Sequence, residues 1–171
     1  MVVDDLDHHL PEAGSIERAA LPMGMYLAWC ANLHLCSEAF QQAHEGPLLR
    51  LRYRELTPVE FLIATCGGAI TSEDLSPEGE AFTRGYYPGY LDEFRGVFLA
   101  DAPIAGDVYS VRDDWAHYDR IAAVLTRRYM DRKMNRKMDR TQGSGVRPND
   151  RKSNGSNGST GEGRRWWQVW R

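Results

Sequence analysis

The side chains best suited to chemistry stand near the start of the chain, where DDLDHHLPE gathers Asp4, Asp5, Asp7, His8, His9 and Glu12. Imidazole and carboxylate are the ligands of zinc and related divalent metals. A metal site also requires its ligands to converge. Adjacent histidines on a polar segment do not converge unless a fold gathers them, and no H-x-x-x-H pair accompanies them. Residues 1–17 therefore read as a solvated lead-in and not as a metal centre.

A thiol nucleophile would draw on Cys66, with His34 or His117 as its base. Cys66 immediately precedes Gly67-Gly68, at the expected C-terminal end of a helix, where the helix dipole disfavours a thiolate. Cys30, Cys36 and Cys66 are odd in number and lie in apolar surroundings. Their spacing fits neither a zinc knuckle nor a disulfide framework, so free buried thiols are expected. The sequence holds no G-x-S-x-G, Walker loop, G-x-G-x-x-G or H-E-x-x-H. The expectation is a protein that is not an enzyme, with no catalytic residues, no cofactor and no metal.

Charge is more informative than any single motif. The chain's formal charge is −3, but residues 1–130 carry 20 Asp and Glu against 10 Arg and no Lys, whereas residues 131–171 carry 11 Lys and Arg against 4 acids. An acidic body of −10 thus precedes a basic segment of +7. Such a body repels nucleic acid and attracts basic partners. Paired acids recur at Glu73-Asp74, Asp92-Glu93 and Asp113-Asp114, with Glu78 and Glu80 between the first two pairs. Asp113-Asp114 reads as the first turn of a helix. Glu73, Asp74, Glu78, Glu80, Asp92 and Glu93 form the expected contact set for a basic protein surface, with Tyr87 as an aromatic anchor.

Tyr87 belongs to RGYYPGYLDEF, residues 84–94. Aromatic rings can stack on bases, but a nucleic-acid platform also needs cations along the phosphate path, and only Arg84 and Arg95 flank this cluster. Tyr86, Tyr90 and Phe94 recur every fourth residue, a helical stripe that points to the core. The feature that favours nucleic acid is the basic end of the chain, with MDRKMNRKMDR and a closing RRWWQVWR. It is the alternative reading, through unspecific and salt-sensitive binding.

These residues need elements to hold them. Pro22 is expected to open a central helix through MGMYLAWCANLHL, apolar on most of its circumference, with Gly24 permitting close approach by another element. Ser37 caps a second helix ended by Gly46-Pro47. LLRLRYREL leaves strand and helix both open, helix being favoured. Thr57-Pro58-Val59-Glu60 is a capping box before FLIATC, stopped by Gly67-Gly68. Ser76-Pro77-Glu78 opens the next helix, and residues 101–111 form a loop with a short extended piece at DVYSV. Trp115, Tyr118, Ala122, Leu125 and Tyr129 trace the core face of a last body helix, with Arg127 and Arg128 near its C-terminal end. The methionine repeat could extend that helix, and the Gly/Ser/Asn-rich stretch beyond cannot form a core. The fold class is mainly α: a compact single-domain bundle of five or six helices over residues 1–130, at most a small strand pair, and a largely disordered basic tail over 131–171. The sequence shows neither a signal peptide nor a membrane-length apolar run, so a cytoplasmic protein without membrane contact is expected.

The ordered set of motifs GMYLAWCANLHL, LTPVEF, EDLSPEGEAF running into YYPGY, and DDWAHY resembles a family of small bacterial proteins found near polymorphic toxins and type VI secretion effectors. The likeness covers roughly residues 4–130. What it implies is an immunity-type role, in which a cytoplasmic protein binds and neutralises a cognate toxin, such as a nuclease, by direct contact. It carries over no catalytic residue.

Overall fold

The computed structural model describes residues 1–99 and 108–143, with side chains described through Met138. Eight α-helices and one two-stranded antiparallel sheet make up these residues: β1 (Val2–Asp5), α1 (Leu6–Ala13), α2 (Ile16–Asn32), α3 (Glu38–Ala43), α4 (Glu45–Arg52), α5 (Pro58–Cys66), β2 (Ala69–Thr71), α6 (Pro77–Tyr86), α7 (Tyr90–Leu99) and α8 (Trp115–Gly143). The fold is mainly α with a small strand pair, as the sequence implies. No helix among the described residues is long and apolar enough to cross a membrane.

α2 is the axle. Every residue from Ala19 to Ala31 is buried, because apolar groups cover its whole circumference and each side must therefore meet another element. It packs on α1, α4, α5 and α8. Leu21, Met23, Met25 and Leu27 are at most 1% exposed, and such burial stabilises by roughly 1.5–3 kcal/mol per side chain. Gly24 lets the start of α5 lie directly on α2, since a Cβ there would stand 2.7 Å from the Pro58 carbonyl oxygen.

Thr57 and Glu60 close the capping box at the start of α5, and Gly67 ends the helix at φ 59°. Ser76 caps α6 through the Gly79 amide. α8 turns Tyr118, Ile121, Leu125 and Tyr129 into the core, while Trp115 and Ala122 sit at its margin.

Several expectations are corrected. The polar lead-in is ordered: β1 pairs with β2, and α1 is capped by Asp5 and closed by Gly14 in the left-handed region. α2 begins at Ile16, with Ser15 as its cap, so Pro22 lies inside the helix and not at its start. Gly46-Pro47 does not end a helix. The two residues occupy the first turn of α4, where proline's missing N–H has no intrahelical partner to lose. DVYSV gives a 3₁₀ turn over Val108–Ser110 instead of an extended piece. α8 runs unbroken through Met130 to Gly143, so Arg127 and Arg128 are mid-helix and not near its C-terminal end, and the methionine repeat extends the helix as its sequence allows. The loop expectation for 101–107 and the tail expectation for 144–171 lie outside the described residues.

Gly24→Ala is expected to cost about 1–3 kcal/mol, because a backbone carbonyl cannot swing away from the added methyl as a side chain would. Urea unfolding monitored by tryptophan fluorescence measures the loss.

Candidate protein-binding face

The aromatic run between α6 and α7 is core. Tyr90 and Phe94 are at most 1% exposed, and the Tyr90 hydroxyl donates to the Pro22 carbonyl at 2.9 Å. The Tyr87 ring stacks on Tyr90 and meets Tyr26 edge-on, and its hydroxyl donates to Asp4 at 2.6 Å. Tyr87, expected as an interface anchor, is therefore half-buried and tied into the fold. A large exposed aromatic side chain stands elsewhere: Tyr53, 71% exposed at the end of α4, near Leu49 at 53%. Periodicity could not single it out, because the alternation of LLRLRYREL fits two secondary structures.

The six expected contact acids do not share one open surface. Glu73 is exposed and has no ion pair among the described residues. Asp74 is turned inward, accepting from the Thr71 amide at 2.6 Å and its hydroxyl at 2.9 Å. Glu80 pairs with Arg84 at 2.5 Å and lines a cavity of about 200 Å³ with Met1, Val3, Ser72 and Tyr87. Asp92 is open to solvent and pairs with Arg95. Glu78 and Glu93 face the other way, onto α8.

There the basic helix lies against the acidic body. Glu78 accepts from the Tyr129 hydroxyl at 2.5 Å and pairs with Lys133 at 2.9 Å. Those two donors hold its carboxyl below the usual range. Glu93, its side chain 19% exposed, pairs with Arg128 at 2.6 Å and accepts from the Tyr86 hydroxyl. Burial alone would push that carboxyl up, but Arg128 and Tyr86 outweigh it and the net shift is down. Arg132 donates to the carbonyls of Phe82 and Gly85 and lies over the Phe82 ring, and Arg136 donates to the Ala81 carbonyl at 3.4 Å. Sequence spacing does not show this arrangement. The opposite charges of body and repeat and the helical reach of the repeat are visible in the sequence, but not which acids its cations meet.

The N-terminal acids and histidines divide as well. His9 is buried, with Nε2 2.8 Å from Asp4 and Nδ1 2.8 Å from the Tyr109 hydroxyl, whereas His8 is exposed. Asp4 thus receives both His9 and Tyr87, which hold its carboxyl down against the upward push of burial. Among the described residues no group of three or more His, Cys, Asp or Glu is arranged to hold a metal ion. Burial raises the Cys36 thiol to about 12 and the Cys66 thiol to about 11, and pushes Cys30 up as well. At Cys66 burial is the main cause, with the nearby Asp74 carboxylate adding to it. Asp114 caps α8 through the His117 amide and imidazole, which hold it down at about 2. Asp113 instead reaches across to the Val59 amide at the start of α5.

Two outcomes follow from this chemistry. Because the folded Asp4 carboxyl is depressed, its stabilisation is present above its unfolded value of about 4 and is lost as pH falls through the folded value. Asp4→Asn is therefore expected to lower stability at pH 7 by about 1–3 kcal/mol and to flatten the acid limb of a stability-versus-pH curve. With the thiols this far from ionisation, the native protein should react slowly with a disulfide reagent at pH 7.5, and all three cysteines should react at once in denaturant.

No curated protein and no solved structure matches the chain. A family match does cover residues 2–109, from the first strand through the tyrosine that meets His9, and it ends before α8 begins. The match takes in well over half of the sequence, and the chain belongs to the family described as a domain of unknown function, DUF7832.

Proposed function

We propose that this protein is an immunity-type inhibitor, a small helical protein that neutralises a cognate secreted toxin by binding a basic surface on it. The reading starts from the resemblance of the motif set to proteins found near polymorphic toxins and type VI effectors. One observation carries it further: the acidic surface of α6 and α7 grips basic side chains in this chain itself, through Glu78 with Lys133 and Glu93 with Arg128. A nuclease that holds its substrate with Lys and Arg offers the same chemistry, and complementary charge speeds encounter and selects the partner. Blocking the substrate path by contact asks for no catalytic group in the inhibitor. Cytoplasmic residence belongs to the same proposal.

The alternative, nucleic-acid binding through the basic segment, loses support in the described part of that segment. Arg132, Lys133 and Arg136 are directed at a carboxylate and carbonyls of the body, not presented together to a phosphate backbone.

The test uses the full chain as bait in lysate of its native cells, followed by co-expression of the captured protein with and without it. A toxin domain that elutes at high salt and stops growth only when expressed alone is the expected result. Reversing the open acids, Glu73→Lys with Asp92→Lys, should weaken binding by at least tenfold. A captured toxin that binds and is neutralised equally well by the reversed variant would remove the acidic surface from the account.

A further inference from the structure

We infer that the basic extension of α8 is an intramolecular occupant of the acidic α6–α7 surface, and that a partner presenting a basic helix displaces it. The inference rests on the reading of that surface as a site for basic protein, and it names both the shape of the partner and the control over access.

The contacts are those of one helix laid along another surface. Arg128, Arg132 and Arg136 recur every fourth residue, with Lys133 beside them, so one face of α8 carries cations for nearly three turns. Arg128 meets Glu93, Lys133 meets Glu78, Arg132 meets the carbonyls of Phe82 and Gly85, and Arg136 meets that of Ala81. Gly85 makes room for this, since a Cβ there would stand 2.6 Å from the Arg132 guanidinium.

The grip is of a kind that can be exchanged. Past Tyr129 no large apolar side chain of α8 is buried: Met130, Met134 and Met138 are 45%, 56% and 54% exposed. The extension is therefore held by charge and hydrogen bonds at a partly solvated surface, where a single ion pair contributes little. The segment up to Tyr129 is anchored in the core and stays. An incoming basic helix can repeat the contacts of Arg132, Lys133 and Arg136, while Arg128 stays on Glu93.

The test uses the full chain and a fluorescein-labelled nona-arginine peptide as the basic probe. Arg132→Gln with Lys133→Gln loosens the extension. Arg50→Gln with Arg52→Gln, on exposed positions of α4, makes the same change in net charge elsewhere. Thermal unfolding identifies any variant that fails to fold, and the single variant Lys133→Gln then replaces the double one. Hydrogen exchange over 131–138 should rise in the loosened variant, and its peptide affinity at low salt should exceed that of the charge-matched control by about tenfold. Adding Glu78→Gln should abolish that gain. Equal affinities in the two charge-matched variants would overturn the inference, as would unchanged exchange in the loosened one. A surface that opens and takes the peptide in a chain that neutralises no toxin would sink the proposed function and leave the self-competition standing.

Discussion

The structure depends on a helix that has no outside. From Ala19 to Ala31 every side chain of α2 is buried, so the remaining elements must surround it. Small residues set where they approach: Gly24 admits the backbone of Pro58, which fixes α5 against α2. Aromatic side chains fill the wider gaps, with Tyr26 and Trp29 meeting Phe82, Tyr87, Tyr90 and Tyr129. Their polar atoms are satisfied within the core, Tyr26 by Thr83 and Trp29 by Thr126, which lets large amphipathic rings be buried without an unpaired donor.

That arrangement brings the two halves of the charge distribution together. Packing α6, α7 and α8 around α2 sets acidic turns beside the helix that carries the basic repeat. An acidic body with a separate cationic tail would attract two classes of partner at once. With α8 docked, part of each charge cancels locally, and Glu78 and Glu93 are occupied while Glu73 and Asp92 remain toward solvent. The working surface of the proposed inhibitor is thereby divided into an open part and a covered part.

Much of the architecture was legible in the sequence, and the reasons are local. Thr57-Pro58-Val59-Glu60 and Ser76-Pro77 announced two helix starts through capping chemistry that needs no tertiary context. The stripe from Trp115 to Tyr129 announced the inner face of α8. The first seventeen residues were not legible because their order is borrowed from far along the chain: β1 pairs with β2, and His9 is held by Tyr109. Local signs did exist in Asp5 as cap, Leu6, His9 and Ala13 at helical spacing, and Gly14 as terminator, but the many charges masked them. Composition counts charges without direction, so the acids from Glu73 to Glu93 look alike in the sequence. Only the fold separates Asp74, bound to the Thr71 amide and hydroxyl, and Glu78 and Glu93, partners of α8, from the acids that face water.

The measurement that bears most directly on this account is hydrogen exchange of the full chain, alone and saturated with its captured basic partner. The account predicts new protection between residues 73 and 93, together with lost protection from 131 to 138 as the basic extension of α8 is displaced. Protection confined to other surfaces, with residues 131–138 unchanged, would contradict it.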